Sequence, residues 1–276
     1  MIKKIIADSS ADILALDGVN FENVPLTLII DGQEIHDDQN LDLKKLKTKL
    51  KATNDKTSTS CPNVHRWQEA FGDADEVYGV TITSQLSGSY NAAQQAASIN
   101  QEEKNNQKIF MLDSKSAGPE MGLLVEKMAE LVKADLSFEE ISAQMTAYHQ
   151  RTHLAFALED LTNLARNGRV NGTIAKLAGM LGIRMVGRAS DSGDLESVGK
   201  ARGAKKAIRL LLSEMEAHGF DHGRAKIGHN NNPDGAQALA SAIRAAHPKS
   251  QVDIVELRGL CSYYAEEGGL MVGYEG

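Results

Sequence analysis

Between residues 77 and 90 an apolar run breaks into hydroxyls and a glycine, with Thr83, Ser84, Ser87, Gly88 and Ser89 leading to Tyr90. Residues 77–82 read as a buried strand, and a helical pattern runs from Tyr90 through Ala97. A strand feeding a helix through Ser87-Gly88-Ser89 sets hydroxyls and unpaired backbone N–H groups at a helix N-terminus. Such a place suits a carboxylate or a phosphate, because first-turn donors lack intrahelical partners and the helix dipole favours negative charge. The plainer reading is that Ser87 or Ser89 caps the helix. A second hydroxyl cluster, Thr57-Ser58-Thr59-Ser60-Cys61-Pro62-Asn63, shifts the balance. Pro62 suits the first turn of a helix through Trp67 and Phe71, with Ser60 or Cys61 at its start. Two hydroxyl-rich helix starts can converge on one anion. Neither loop carries a general base or a metal-ligand pair, so the chemistry indicated is binding rather than bond-breaking.

Other candidate residues carry plainer explanations. His149 and His153 have the i, i+4 spacing of two ligands on a helix, but the helix ends near Arg151 and no third ligand follows, so a structural role is expected. His229, ahead of Asn230-Asn231-Asn232, is explained by a loop cap. Cys61 beside the anion site reads either as a low-pKa thiol at a helix start or, preferably, as a small residue that fits. Lys200, Arg202, Lys205 and Lys206 concentrate positive charge near the Gly203 turn, as Arg169 does beside Gly168. They suit a phosphate or an acidic partner, or else a solvated helix start. There is no P-loop and no Gly-x-Ser-x-Gly elbow.

The elements that must position these groups alternate as strand and helix. Strands are expected at 4–7, 24–30, 33–36, 77–82 and 108–113, with a tight turn at Asp31-Gly32 making a hairpin. Helices are expected at 41–52 and 121–133, with another from Ser137, where Ser-Phe-Glu-Glu resembles a capping box. This pattern predicts an α/β protein whose first domain, residues 1–150, has a mainly parallel, doubly wound sheet. Ligands in such sheets sit beyond the C-terminal strand ends, where Asp8, Ser87 and Asp113 fall. Residues 57–76 contribute a ligand-facing segment. After Arg151 a second α/β domain, 151–276, is expected, with strands at 153–158, 184–187, 195–198, 225–229 and 252–257. Its helices fall at 160–166, 173–181, 203–217 and 234–246, and the ligand lies between the domains.

The motifs, taken together, resemble the DegV family of bacterial fatty-acid-binding proteins. Ile6-Ala7-Asp8-Ser9-Ser10-Ala11-Asp12 is similar to the family's opening. Val24-Pro25-Leu26, Thr59-Ser60-Cys61-Pro62 and Leu86-Ser87-Gly88-Ser89-Tyr90 follow in the family's order. Leu112-Asp113-Ser114, Asn167-Gly168-Arg169-Val170 and Gly199-Lys200-Ala201-Arg202-Gly203 continue it, so the likeness spans nearly the whole chain. The resemblance implies a long-chain fatty acid bound between two domains, its carboxylate held by Thr59, Ser60, Ser87 and Gly88. It implies that Arg202 lies near the head group and the surface that meets a separate kinase subunit. It also implies an acyl tunnel, for which residues 122–124 and 179–183 are candidates, an ordinary core being the equal alternative. At the C-terminus the family has a histidine before a Gly-Pro-Gly turn. Here Ala265 takes that position, and Glu266 and Glu267 are expected near the head group. An extra carboxylate beside a bound anion is repulsive.

Bulk properties agree with this class. At 276 residues the chain fits one large or two modest domains. A net charge of -7 argues against nucleic acid as a partner. Nine methionines suit an adaptable lipid pocket. With two cysteines, no signal-peptide core and no span-length apolar run, a cytoplasmic protein with reduced thiols is expected. No metal or cofactor is expected, and the chain is expected not to be an enzyme. The alternative reading is a phosphotransferase or hydrolase acting on a small anion.

Overall fold

The computed structural model describes residues 1–53, 56–103, 107–170, 174 and 182–276. The expected helix at 173–181, and with it residues 179–181 of the candidate tunnel, lies outside the described residues except for Ile174.

A four-stranded sheet of order β2-β1-β6-β7 is parallel throughout, built from β1 (Lys3–Asp8), β2 (Asn20–Val24), β6 (Glu76–Thr81) and β7 (Lys108–Asp113). Alternation along the strands divides its two faces. Ile5, Ala7, Tyr78 and Val80 pack with Met121, Leu124 and Met128 of α4 (Pro119–Lys133) and Ile141 of α5 (Phe138–His149). Ile6, Val77 and Met111 pack with Trp67 and Phe71 of α2 (Val64–Phe71) and Ala93 and Ala96 of α3 (Ser89–Glu103). Helices thus cover both faces, as parallel strands buried on two sides require.

A small antiparallel sheet, β4-β3-β5, is appended: β3 (Thr27–Ile30), β4 (Gln33–His36) and β5 (Ser58–Ser60), closed by α1 (Leu43–Ala52). The expected hairpin forms, but Val24 belongs to the parallel sheet, because Pro25 cannot continue a ladder. The hydroxyl cluster at 57–63 also differs from expectation. Residues 58–60 pair with β3, and Asn63, not Ser60 or Cys61, caps α2, its Oδ1 accepting the Arg66 N–H at 2.9 Å. It is a strand end, not a helix start.

The second sheet runs β10-β9-β8-β13-β11-β12 and is antiparallel except for its last pair. It comprises β8 (Thr152–Leu158), β9 (Ile183–Ala189), β10 (Leu195–Arg202), β11 (Arg224–His229), β12 (Gln251–Glu256) and β13 (Leu270–Glu275). Among the described residues this half also holds the helices α6 (Thr162–Arg166), α7 (Ala204–Ala217), α8 (Pro233–Ala246) and α9 (Gly259–Ala265). Sequence reading missed β13, the central strand, and α9.

Helix α4 is wedged between the two large sheets. One side belongs to the first core; the other lies against β11 and β13, where a Cβ on Gly273 would stand 2.3 Å from the Glu120 backbone nitrogen. Glu126 on α4 accepts from Lys226 Nζ at 2.6 Å and from Arg224, which also reaches Glu130 at 3.2 Å. No helix among the described residues is long and apolar enough to cross a membrane.

Candidate functional site

The C-terminal ends of β1 and β6 and the start of α3 are tied by one buried carboxylate. Asp8 Oδ2 accepts the Ile82 N–H at 2.9 Å and the Ser89 hydroxyl at 2.7 Å, and Oδ1 accepts from Ser10. Burial pushes the Asp8 pKa up, and these hydrogen bonds oppose the shift. Asp113 likewise accepts from the backbone N–H groups of Ser84 (3.1 Å) and Lys115 (3.0 Å). Both aspartates hold the loops in place, so the polar groups left to face outward are hydroxyls and backbone donors.

Gly88 occupies the N-cap position of α3, its carbonyl accepting the Ala92 N–H at 3.0 Å. Ser87 Oγ accepts the Ser89 N–H at 3.2 Å. The remaining first-turn N–H groups have no intrahelical partner. From the other side, β5 brings Thr59, Ser60 and then Cys61, whose sulfur lies 3.1 Å from where a Cβ on Gly88 would stand. Thr59 Oγ1 is 2.7 Å from the Tyr264 hydroxyl on α9. The N-terminus of α9 is fixed by Asp37, which accepts the N–H groups of Gly259 (3.2 Å) and Leu260 (2.8 Å), and by Asp12, which accepts that of Arg258 (2.9 Å). A Cβ on Gly259 would meet Asp37 Cγ at 2.6 Å, so any larger residue there would push the capping carboxylate aside.

These groups surround one end of a cavity of ≈ 280 Å³, close to the lower bound of roughly 300 Å³ for small-molecule pockets. The rest of the cavity is apolar. Leu154, Phe156 and Leu158, alternate residues of β8, line it, while Ala155 and Ala157 turn to the opposite core. Met271, paired with Phe156 across the β13 ladder, and Leu164 and Leu195 also line the wall. The polar end is the solvent-reaching one, since Ser60, Cys61, Gly88 and Lys115 are exposed.

Of the residues singled out from sequence, Thr59, Ser60, Ser87 and Gly88 line this cavity together. Arg202 does not; it is exposed at the end of β10, outside the lining. Among the described residues, the cationic side chains that do line it are Lys115 and Arg169. Residues 122–124 are not tunnel: Leu124 sits in the first core, and a Cβ on Gly122 would abut Lys226. Ala265 lines the cavity, but Glu266 and Glu267 turn away from it, contrary to expectation. Glu266 accepts the Asn163 N–H at 2.7 Å, and burial raises its pKa to about 7. Glu267 pairs with Lys51 at 3.1 Å. The turn after α9, with Glu266 at φ 52°, directs both carboxylates to the far side of the helix. His149 Nε2 bonds the Ser114 carbonyl at 2.8 Å, and His229 Nδ1 accepts the Asn232 N–H at 3.4 Å; both are structural. Among the described residues no group of three His, Cys, Asp or Glu could hold a metal ion.

Tyr264, Lys115 and the β8 wall were missed from sequence. The Leu154-Phe156-Leu158 alternation was a readable signal, whereas Tyr264 lies on a seven-residue helix with no periodicity to announce it.

Comparison with known proteins gives a coherent picture. A family profile described as "Uncharacterised protein, DegV family" matches residues 3–275. A DegV domain-containing protein of Streptococcus pyogenes serotype M1 is 42% identical over 279 residues, covering 100% of both chains. Among solved structures, the Streptococcus pneumoniae Fatty Acid Kinase (Fak) B3 protein loaded with linoleic acid superposes with TM-score 0.97 at 42% identity, over 100% of this chain and 99% of that one. A DegV family protein from Eubacterium eligens loaded with heptadecanoic acid gives TM-score 0.95 at 40% identity, covering 99% of each.

Proposed function

The chain belongs to the DegV family, and on that premise we propose that it binds a long-chain fatty acid in the cavity between its two sheets. The observation that carries this reading is the division of the cavity into an apolar barrel and a hydroxyl-and-amide mouth. A fatty acid is divided in the same way. Burial of the acyl chain contributes about 0.8 kcal/mol per methylene before ordering costs, enough for tight binding of C16–C18 acids. Thr59, Ser60, Ser87 and the first turn of α3 at Gly88 hold the carboxylate, with Lys115 and Arg169 supplying positive charge.

The chain acts as a carrier. The described lining holds no His, Asp or Glu to serve as general base, and the carboxylate sits at the exposed end, where a second protein can reach it. The exposed cations Lys200, Arg202, Lys205 and Lys206 form the surface that meets a separate kinase, in keeping with the naming of the pneumococcal relative. The domain boundary falls near residue 150, with Thr59, Ser60 and Cys61 of the 57–76 segment facing the ligand while α2 packs on the other face of the sheet, and the protein works in the cytoplasm.

Extraction of the purified protein followed by mass spectrometry tests the reading. A co-purifying free fatty acid is expected, along with a rise in Tm on adding palmitate or oleate to delipidated protein. Consistent absence of both, with turnover of a phosphorylated substrate, overturns it in favour of an enzyme.

A further inference from the structure

Two consecutive tyrosines of α9 meet two alternate threonines on the approach to and within β5. Tyr263 Oη is 2.7 Å from Thr57 Oγ1 and also accepts from Asn167 Nδ2 at 2.9 Å. Tyr264 Oη is 2.7 Å from Thr59 Oγ1. The rings pack edge to face, 4.8 Å between centroids at 76°. The helix carrying them is held at its start by Asp37 and Asp12, and at its end by Asn230, whose Nδ2 donates to the carbonyls of Ser262 (3.0 Å) and Glu266 (2.7 Å). Tyr264 therefore meets the cavity with little freedom to rotate away.

Each hydroxyl carries one hydrogen and two lone pairs. In the Thr59–Tyr264 pair one oxygen donates to the other, so one O–H of the two stays free in either direction. A phenol is the more acidic of the two hydroxyls, which favours donation from Tyr264 to Thr59 and leaves the free hydrogen on Thr59. Donation into the threonine oxygen also polarises its own O–H, strengthening it as a donor, and the pair is half-buried. We propose that Tyr264 is a positioning residue for the carboxylate site, holding the Thr59 hydroxyl with its hydrogen directed to the ligand's oxygen. This rests on the fatty-acid reading above. The methyl of Ala265 next along the helix offers no hydrogen-bonding alternative, and Cys261, also on α9, spends its S–H on the Ser10 carbonyl.

The test compares two ligands with one acyl chain, oleate and methyl oleate, on delipidated full-length protein. Tyr264→Phe keeps the ring against Tyr263 and removes only the hydroxyl. It is expected to weaken oleate about tenfold and methyl oleate by less than about twofold. On a Thr59→Val background the same change should alter oleate affinity by less than about twofold, since nothing remains to be oriented. Thr59→Ser, which keeps the pair, should retain oleate affinity, giving a readout should Tyr264→Phe fold poorly. Equal losses for both ligands make Tyr264 a shaper of the cavity and overturn the proposal. A tenfold loss persisting on the Thr59→Val background shows the phenol touching the ligand itself and overturns the positioning role, and no loss of oleate affinity in Tyr264→Phe overturns it outright. If wild type binds oleate and methyl oleate equally, the carboxylate site falls and this proposal with it, while the apolar cavity stands. If it binds neither, the fatty-acid reading itself falls.

Discussion

The two halves of the cavity come from differently built sheets. The parallel sheet offers its edge: its strands stop, and their C-terminal ends release loops rich in hydroxyls and free N–H groups. The antiparallel sheet offers its face, with β8 in mid-strand presenting Leu154, Phe156 and Leu158 in a row. Strand ends have backbone polarity to spare, whereas a strand interior has its backbone satisfied by neighbours and shows only side chains. A ligand with one charged end and a long apolar body fits where an edge of one sheet meets the face of another.

If this division of labour is right, substitutions on the two sides should fail differently. The largest effect is expected from the wall. Phe156 is fully buried, and Phe156→Ala should lower unfolding stability by about 3–5 kcal/mol, read from denaturant melts. A change under about 1 kcal/mol would mean that the wall is not part of the core. At the mouth, Ser87→Ala should weaken fatty-acid binding by about 1.5–3 kcal/mol while costing no more than about 1 kcal/mol of stability through its lost bond to the Ser89 N–H. If stability falls and affinity holds, Ser87 is a helix cap and the contrast between mouth and wall collapses.

The seam between the halves should respond to pH. Glu120 on α4 is buried, accepts from Thr152 on β8 at 2.9 Å, and is pushed by desolvation to about 7. Desolvation, aided by the nearby Asp37 charge, raises Asp12 to about 8. A carboxyl whose folded pKa exceeds its unfolded value stabilises fully below the unfolded pKa, and that contribution is lost as pH rises through the folded one. The protein should therefore melt lower at pH 8.5 than at pH 5.5, by roughly 2–4 °C per kcal/mol lost. Glu120→Gln should flatten the dependence, and an unchanged slope would remove Glu120 as its source. The smallest effect is expected outside the cavity. Arg202→Ala should alter fatty-acid affinity by less than about 0.5 kcal/mol, whereas Arg169→Ala should reduce it measurably in the same titration. The reverse ranking would return Arg202 to the head group.

Much of the first half was legible in the sequence, because parallel strands buried on both faces announce themselves as apolar runs and their loops carry the turn residues. Ser87 and Gly88 could be placed at a strand end for that reason, whereas Thr59 and Ser60, in the antiparallel β5, were joined to them by the family resemblance. The second cluster was misread as a helix start because β5 is only three residues long and finds its partner, β3, across an intervening helix. Helix α9 was invisible because its cap is Asp37, 222 residues away from Gly259. Strand β13 was missed because Gly273 weakens its pattern, a glycine required by a helix backbone that local sequence does not mention. In each case the deciding partner was distant in the chain.

The position of β13 has a consequence for how the molecule comes into being. Strand β13, which follows the five other strands of its sheet in the chain, is inserted in the middle, between β8 and β11. Until residues 270–275 clear the ribosome, β8 and β11 each lack a neighbour, and the surface of α4 that receives Gly273 stays uncovered. The first sheet can close as soon as it is made, but the wall of the lipid cavity cannot. The nascent chain thus carries an open barrel until β13 is made, and a chain without residues 270–275 would lose the centre of the second sheet rather than a fringe.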